Sequence, residues 1–270
     1  TVSAVLSDVT STAVDCVGVL GVGYSRDVSW TTVTVAAMHA NVMSTGDNVG
    51  VLGAGGIGGV TWTDVAVVAA FANFTSTASS NVGVLGAGSN GPVKWTNTTV
   101  SAALSSVTST ADNQVGLLGA GSSRGVSWTN VTVSAAVANV TSTVKNFVGI
   151  VGAGSSYDVT WTNVTVTASL TNVRSTGDFV GVLGAGSSRG VTWTNVTVSA
   201  TLANITSTAN GGVGLLGTGS IGGTFSWTNV TISAALANVT SNAGNGVGVL
   251  AAGSSVTAGK AGAAWTDVTV

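Results

Sequence analysis

From Trp128 onward, apolar side chains fall at Val131, Val133, Ala135 and Val137, with polar Asn130, Thr132 and Ser134 between them. This period-2 alternation, rich in β-branched residues, predicts a strand with one buried face. A second run, Asn139-Val-Thr-Ser-Thr143, and a third, Val148-Gly-Ile-Val-Gly152, predict two more short strands. Val, Thr and Gly dominate, and no charged face or capping pattern accompanies them, so helix is a poor reading.

The same text recurs along the chain. Trp30, Trp62, Trp95, Trp128, Trp161, Trp193, Trp227 and Trp265 are separated by 32, 33, 33, 33, 32, 34 and 38 residues. Length changes collect in two places. One follows the V-G-x-L-G-A-G block, as in Gly253 to Gly262, and the other lies near Gly46-Asp47 and Gly177-Asp178. These two places predict loops. A regular repeat of about three short strands predicts an all-β fold, a parallel β-solenoid spanning residues 1–270 as one repeat domain. It would hold about eight coils of about 33 residues, stacked at about 4.8 Å. A β-propeller blade competes, but four strands usually need more residues. One broad coil per repeat is favoured over two narrow ones, because the two halves of the repeat are unlike.

Composition narrows the function. Of 270 residues only 6% are charged, seven basic and nine acidic, with 39 Gly and one Cys. So few cations cannot neutralise a run of phosphates, which argues against nucleic acid as a partner. Cys16 has no partner in the chain, so no internal disulfide staples the fold. The mean hydropathy is +0.54. Even so, Thr, Ser, Asn or Gly interrupts every apolar run before it could form a membrane-spanning helix.

The blocks Asn81-Val-Gly-Val-Leu-Gly86, Val115-Gly-Leu-Leu-Gly119 and Val180-Gly-Val-Leu-Gly184 resemble the GLUG motif. That motif occurs in repeat regions of bacterial and other surface proteins, including adhesins and secreted peptidases. It normally has an extra Gly before its Leu; here that place holds Val, Leu or Ile. The repeats are also similar to filamentous-haemagglutinin-like right-handed β-helices, and more distantly to repeat regions of very large surface proteins of kinetoplastid flagellates. The resemblance spans nearly the whole chain. It implies a β-helix and an extracellular or cell-surface location.

The sharpest local motif is N-x-T, at Asn73, Asn97, Asn130, Asn139, Asn163, Asn195, Asn204, Asn229 and Asn238. The Thr hydroxyl takes part in sequon recognition, so these positions are candidates for covalent N-linked glycans. The competing reading is an Asn ladder, in which side-chain amides hydrogen-bond from coil to coil. Glycans are the favoured reading, because a surface with so few charges needs other hydration and a sugar coat supplies it; two facts support the ladder. Repetition multiplies any chance sequon, and sugars on successive coils would crowd. The eight Trp residues predict a structural ring stack in preference to a sugar-binding face. The Gly-rich block is no phosphate loop, since no Lys-Ser or Lys-Thr follows it. Its glycines predict tight corners or close coil packing.

No catalytic or metal site is expected. There is no Glu, and the Asp residues are spread along the repeats, as at Asp47, Asp112 and Asp178. Carbohydrate-cleaving chemistry needs clustered carboxylates in one groove. One carboxylate per coil is a poor calcium ligand set. Arg26, Arg124 and Arg189 lie in loops, and His39 reads as structural. Thr1-Val2 and Thr269-Val270 occupy equivalent repeat positions, so the frame closes on itself. The expectation is a segment of a longer chain, or a fibre subunit that self-associates end to end. The leading function is a structural fibre or surface coat, probed against two alternatives. One is an adhesin or carbohydrate-binding module, and the other is an ice-binding surface of Thr columns such as Thr132 and Thr165.

Overall fold

In a computed structural model, the described residues are 2–11, 16–18, 27–44, 48–50, 54–56, 58–77, 82–84, 86–89, 91–111, 114–122, 124–144, 147–155, 157–177, 179–187, 189–209, 213–216, 218–221, 225–243, 247–248, 252–255 and 263–269. They form strands, turns and bends, with no helix among them. The chain is a parallel β-solenoid with one coil per repeat. Trp95 pairs with Trp128, Trp128 with Trp161, and Trp161 with Trp193, in parallel throughout.

Three parallel sheets run along the axis. The long sheet is built from strands such as Val126–Val144 and Val159–Gly177, each 19 residues. A second, eight-stranded sheet stacks the Val-Gly pairs, as in Phe147–Gly149 on Phe179–Gly181. A third, seven-stranded sheet stacks Ala-Gly-Ser triplets, as in Ala120–Ser122 on Ala153–Ser155. The strand boundaries differ from the sequence expectation in two ways. The first two predicted runs are one long strand, and the Ala-Gly-Ser triplet is a strand of its own.

The long strand is continuous because it bends without breaking. Asn130 and Asn139 have φ of 54° and 51°, in the left-handed region. Each such residue shifts the inward-outward alternation by one. Trp128 and Val131 are both buried, as are Val137 and Val140, with exposed Asn130 and Asn139 between them. Asn visits this region at lower cost than β-branched residues, because its short amide can bond locally.

The interior is layered. Residues Val148 to Gly154 are all buried, and so are Val115 to Ser122. The Gly-rich block is therefore an inner layer enclosed by the long sheet, which explains its lack of any charged residue. Its glycines are set by close approach. A Cβ on Gly149 would lie 2.2 Å from the Ala120 carbonyl oxygen, and one on Gly116 would lie 2.1 Å from that of Ala87. The Val-Gly sheet thus packs backbone to backbone against the Ala-Gly-Ser sheet of the preceding coil.

Candidate functional site

Columns of identical residues are the chemistry this molecule displays. The inner column is Trp. From Trp30 to Trp227 successive rings stack with centroids 4.7 to 5.0 Å apart and planes within 6° of parallel. Trp62, Trp95, Trp128, Trp161, Trp193 and Trp227 are fully buried, so no sugar can reach their faces. The side chain of Trp265 lies outside the described residues. The spacing is imposed by the inter-strand distance of the sheet, which is also a good stacking distance for π systems.

Two outer columns are Asn. In the first, Asn130 Nδ2 donates to Asn97 Oδ1 at 3.0 Å, and Asn163 to Asn130 at 3.0 Å. Asn195 then donates to Asn163 at 2.9 Å, and Asn229 to Asn195 at 3.0 Å. At its foot Asn97 donates to Asp64 Oδ1 at 2.9 Å. An ionised carboxylate only accepts, so Asp64 suits the acceptor end of a ladder whose amides all point one way. In the second column Asn172 donates to Asn139 at 2.9 Å, Asn204 to Asn172 at 2.9 Å and Asn238 to Asn204 at 3.1 Å. Asn139 itself reaches the Ser105 carbonyl oxygen at 3.4 Å.

All nine sequon asparagines are exposed. Eight of them, every one except Asn73, adopt positive φ. Asp64 and Asn172 were not singled out by the sequon pattern, since Asn172 is followed by Val-Arg174. Their periodic place, two and eleven residues after a Trp, was the available signal. Thr32 takes the first-column corner on its coil with φ 54°, a costly conformation for a β-branched residue.

A third set of polar atoms is sealed inside. The Nε1 atoms of Trp62, Trp95, Trp128, Trp161 and Trp193 have no hydrogen-bond partner, nor do the Oγ atoms of Ser76, Ser109, Ser142, Ser175 and Ser207. Each Ser lies fourteen residues after the Trp of its coil. In contrast, the Ser122 hydroxyl at the opposite corner donates to the Gly91 carbonyl oxygen at 2.7 Å. It also accepts from the backbone N–H of Arg124 at 3.1 Å and of Gly125 at 3.2 Å.

Among the described residues no group of three or more His, Cys, Asp or Glu is placed to hold a metal. Arg189 stacks its guanidinium 4.1 Å over the Tyr157 ring in the corner loops. Arg26, Asp47, Asp112 and Asp178 lie outside the described residues, as do the side chains of Cys16 and His39. No helix of the described residues is long and apolar enough to cross a membrane.

One concave feature stands out. On the outer face of the long sheet a groove of about 570 Å³ runs across four coils, with small residues such as Ala135, Ala168 and Ala200 in its lining. No family model, curated protein or solved structure matches the chain.

Proposed function

We propose that this chain is a structural segment of an extracellular or cell-surface filament or coat, and not an enzyme. One observation carries this reading. From Trp95 to Trp227 each coil repeats the inward Trp and the outward Asn two residues after it in register, and among the described residues no group of three or more His, Cys, Asp or Glu sets a coil apart. A catalytic site requires such a distinction; a rod does not. Parallel coils stack by the same hydrogen bonds whether the next coil belongs to the same chain or to another. End-to-end continuation into a filament therefore needs no new kind of contact. The likeness of the V-G-x-L-G blocks to GLUG-type surface repeats supports an extracellular setting. The shortage of Lys and Arg argues against nucleic acid as a partner.

N-linked glycans fit this reading at a subset of the exposed sequons. Each ladder amide has two N–H groups and donates one to the coil below, leaving the second free to carry a sugar. Coils spaced as closely as the Trp rings leave no room for sugars on every neighbour. Glycans on alternate coils would hydrate a surface that carries few charges.

An adhesin or carbohydrate-binding module is the second reading, favoured by the open groove along the long sheet. Negative-stain imaging of native material separates the two. Long uniform filaments are expected. Monodisperse short rods that bind a glycan array would overturn the filament in favour of the adhesin.

A further inference from the structure

Between its two corners, each coil of the long sheet presents a central segment of about seven residues. These segments run from residues 34–40 on the Trp30 coil to 231–237 on the Trp227 coil. Over seven coils their only ionisable residue is His39. The described exposed positions are Thr, Ser and Ala, apart from Leu236 on the last of these coils, 38% exposed, and one residue on each of the first two. There Met38 is 60% and Val68 is 51% exposed. The pairing of Ala36 with Val68 and of Met38 with Ala70 makes the two apolar side chains diagonal neighbours. Beginning two coils beyond Val68, the same face hollows into the groove, with Ala135, Ala168, Ser199, Ala200 and Ala235 in its lining.

We propose that this face pairs with the same face of a second copy, related by a two-fold axis that lies in the face along the strand of the Trp128 coil. Three arguments select a second copy as the occupant. First, ridge and groove lie on one face, so a half-turn about an axis lying in that face, along the Trp128 strand, brings each ridge over the other copy's groove. The Trp128 coil lies midway between the Trp30 and Trp227 coils. The rotation therefore sets Met38 opposite Ala235 and Val68 opposite Ser199, twice per dimer. Self-complementarity of one patch is what a closed two-fold dimer requires. Second, a face without charge offers nothing to an ionic partner, whereas depletion of charge is the mark of an interface core. Third, seven coils at about 4.8 Å by seven residues at about 3.3 Å give about 780 Å² per copy. That is close to the roughly 800 Å² per partner of a standard specific interface.

The contact is lateral, and it differs from end-to-end continuation in being closed. It would join filaments or chains side by side, antiparallel to each other. Bulky apolar side chains entering a small-residue groove exclude water from both, which is the driving force.

Sedimentation of the full chain tests this. The expected result is a discrete dimer at micromolar concentration whose Kd rises at least about tenfold in the Met38→Lys/Val68→Lys variant. Thr167→Arg, on an exposed strand position in the groove lining, is expected to do the same. Near-UV circular dichroism of the Trp stack confirms that each variant is folded. In a Cys16→Ser background, Ser134→Cys is expected to couple to its own copy through a short bismaleimide, because it lies beside the axis. A chain that stays monomeric to about 100 µM overturns the proposal. So does a dimer indifferent to both substitutions. Failure of the filament reading looks different: long polymers would be absent while the dimer, and its sensitivity to Lys at positions 38 and 68, remained.

Discussion

Asn172 donates its Nδ2–H to Asn139 Oδ1 at 2.9 Å, and it does so from a position where the glycosylation sequon is broken by Arg174. The amide and its positive φ persist where the sequon Thr does not. The backbone corner and the amide ladder thus have a role of their own, separate from any sugar.

That role can be measured at Asn172, which also accepts from Asn204 at 2.9 Å. Asn172→Ala removes both amide bonds and leaves a Cβ-bearing residue in the left-handed region. A loss of about 1–3 kcal/mol is expected in denaturant unfolding. Asn172→Gly, which adopts that φ freely, should lose less. Equal losses would show that the corner conformation contributes nothing.

Removing the Trp128 indole should be far costlier, since its ring is stacked on both sides at 4.8 Å and fully buried. Trp128→Ala is expected to lose about 3–5 kcal/mol by thermal or chemical unfolding. Trp128→Phe should recover much of this, because it keeps an aromatic ring and deletes a buried Nε1–H that has no acceptor.

The sealed serines make a prediction of opposite sign. Ser142 is fully buried and its Oγ has no partner. Ser142→Ala should therefore raise stability, by about 1 kcal/mol, since it removes a polar group that lost its water bonds on folding. A destabilised variant would show that the hydroxyl is bonded in the folded protein.

Gly149→Ala introduces a Cβ 2.2 Å from the Ala120 carbonyl oxygen, a backbone atom held by its own sheet. Neither strand can move without opening the inner layer. The variant should lose at least about 3 kcal/mol or fail to fold, read from near-UV circular dichroism and proteolysis.

For the sequons, peptide mass spectrometry of native material after glycosidase treatment is expected to find Asn-to-Asp conversion at some of the nine positions. It should not find two successive coils of one column occupied in the same molecule. Unmodified peptides throughout would remove the glycan from the proposal. Full occupancy would mean that the amide ladder does not persist in the native chain.

The register itself can be tested by excision. Removing residues 129–161 rejoins equivalent points, because Trp128 pairs with Trp161. A folded, shorter rod is expected, as in other solenoids whose coils contact only their neighbours. Removing about half that length should abolish cooperative unfolding, since it misplaces every column.

Much of this fold was legible in the chain. Alternation at Val131, Val133, Ala135 and Val137 is a local signal of strand, and the recurrence of Trp sets the coil. Less legible was the Ala-Gly-Ser strand. Three small residues carry no propensity, and they pair only because Ala120 meets Ala153 on the next coil. The two Asn corners were also hidden. Alternation counted from Val131 looks unbroken, and the slip appears only when Trp128 and Val131 are both seen to face inward.

The sequence by itself determined the period, the strand character and the identity of each column. These follow from side-chain chemistry and repetition, which act along the chain. Tertiary structure decided that the Gly-rich block is an enclosed layer. It also decided that Asn turns the corner and donates to the preceding coil, that the Ser column from Ser76 to Ser207 is buried, and that a groove and an apolar ridge share a face. Those outcomes depend on which backbone lies opposite across the coil, at distances set by sheet packing, and no local pattern encodes that.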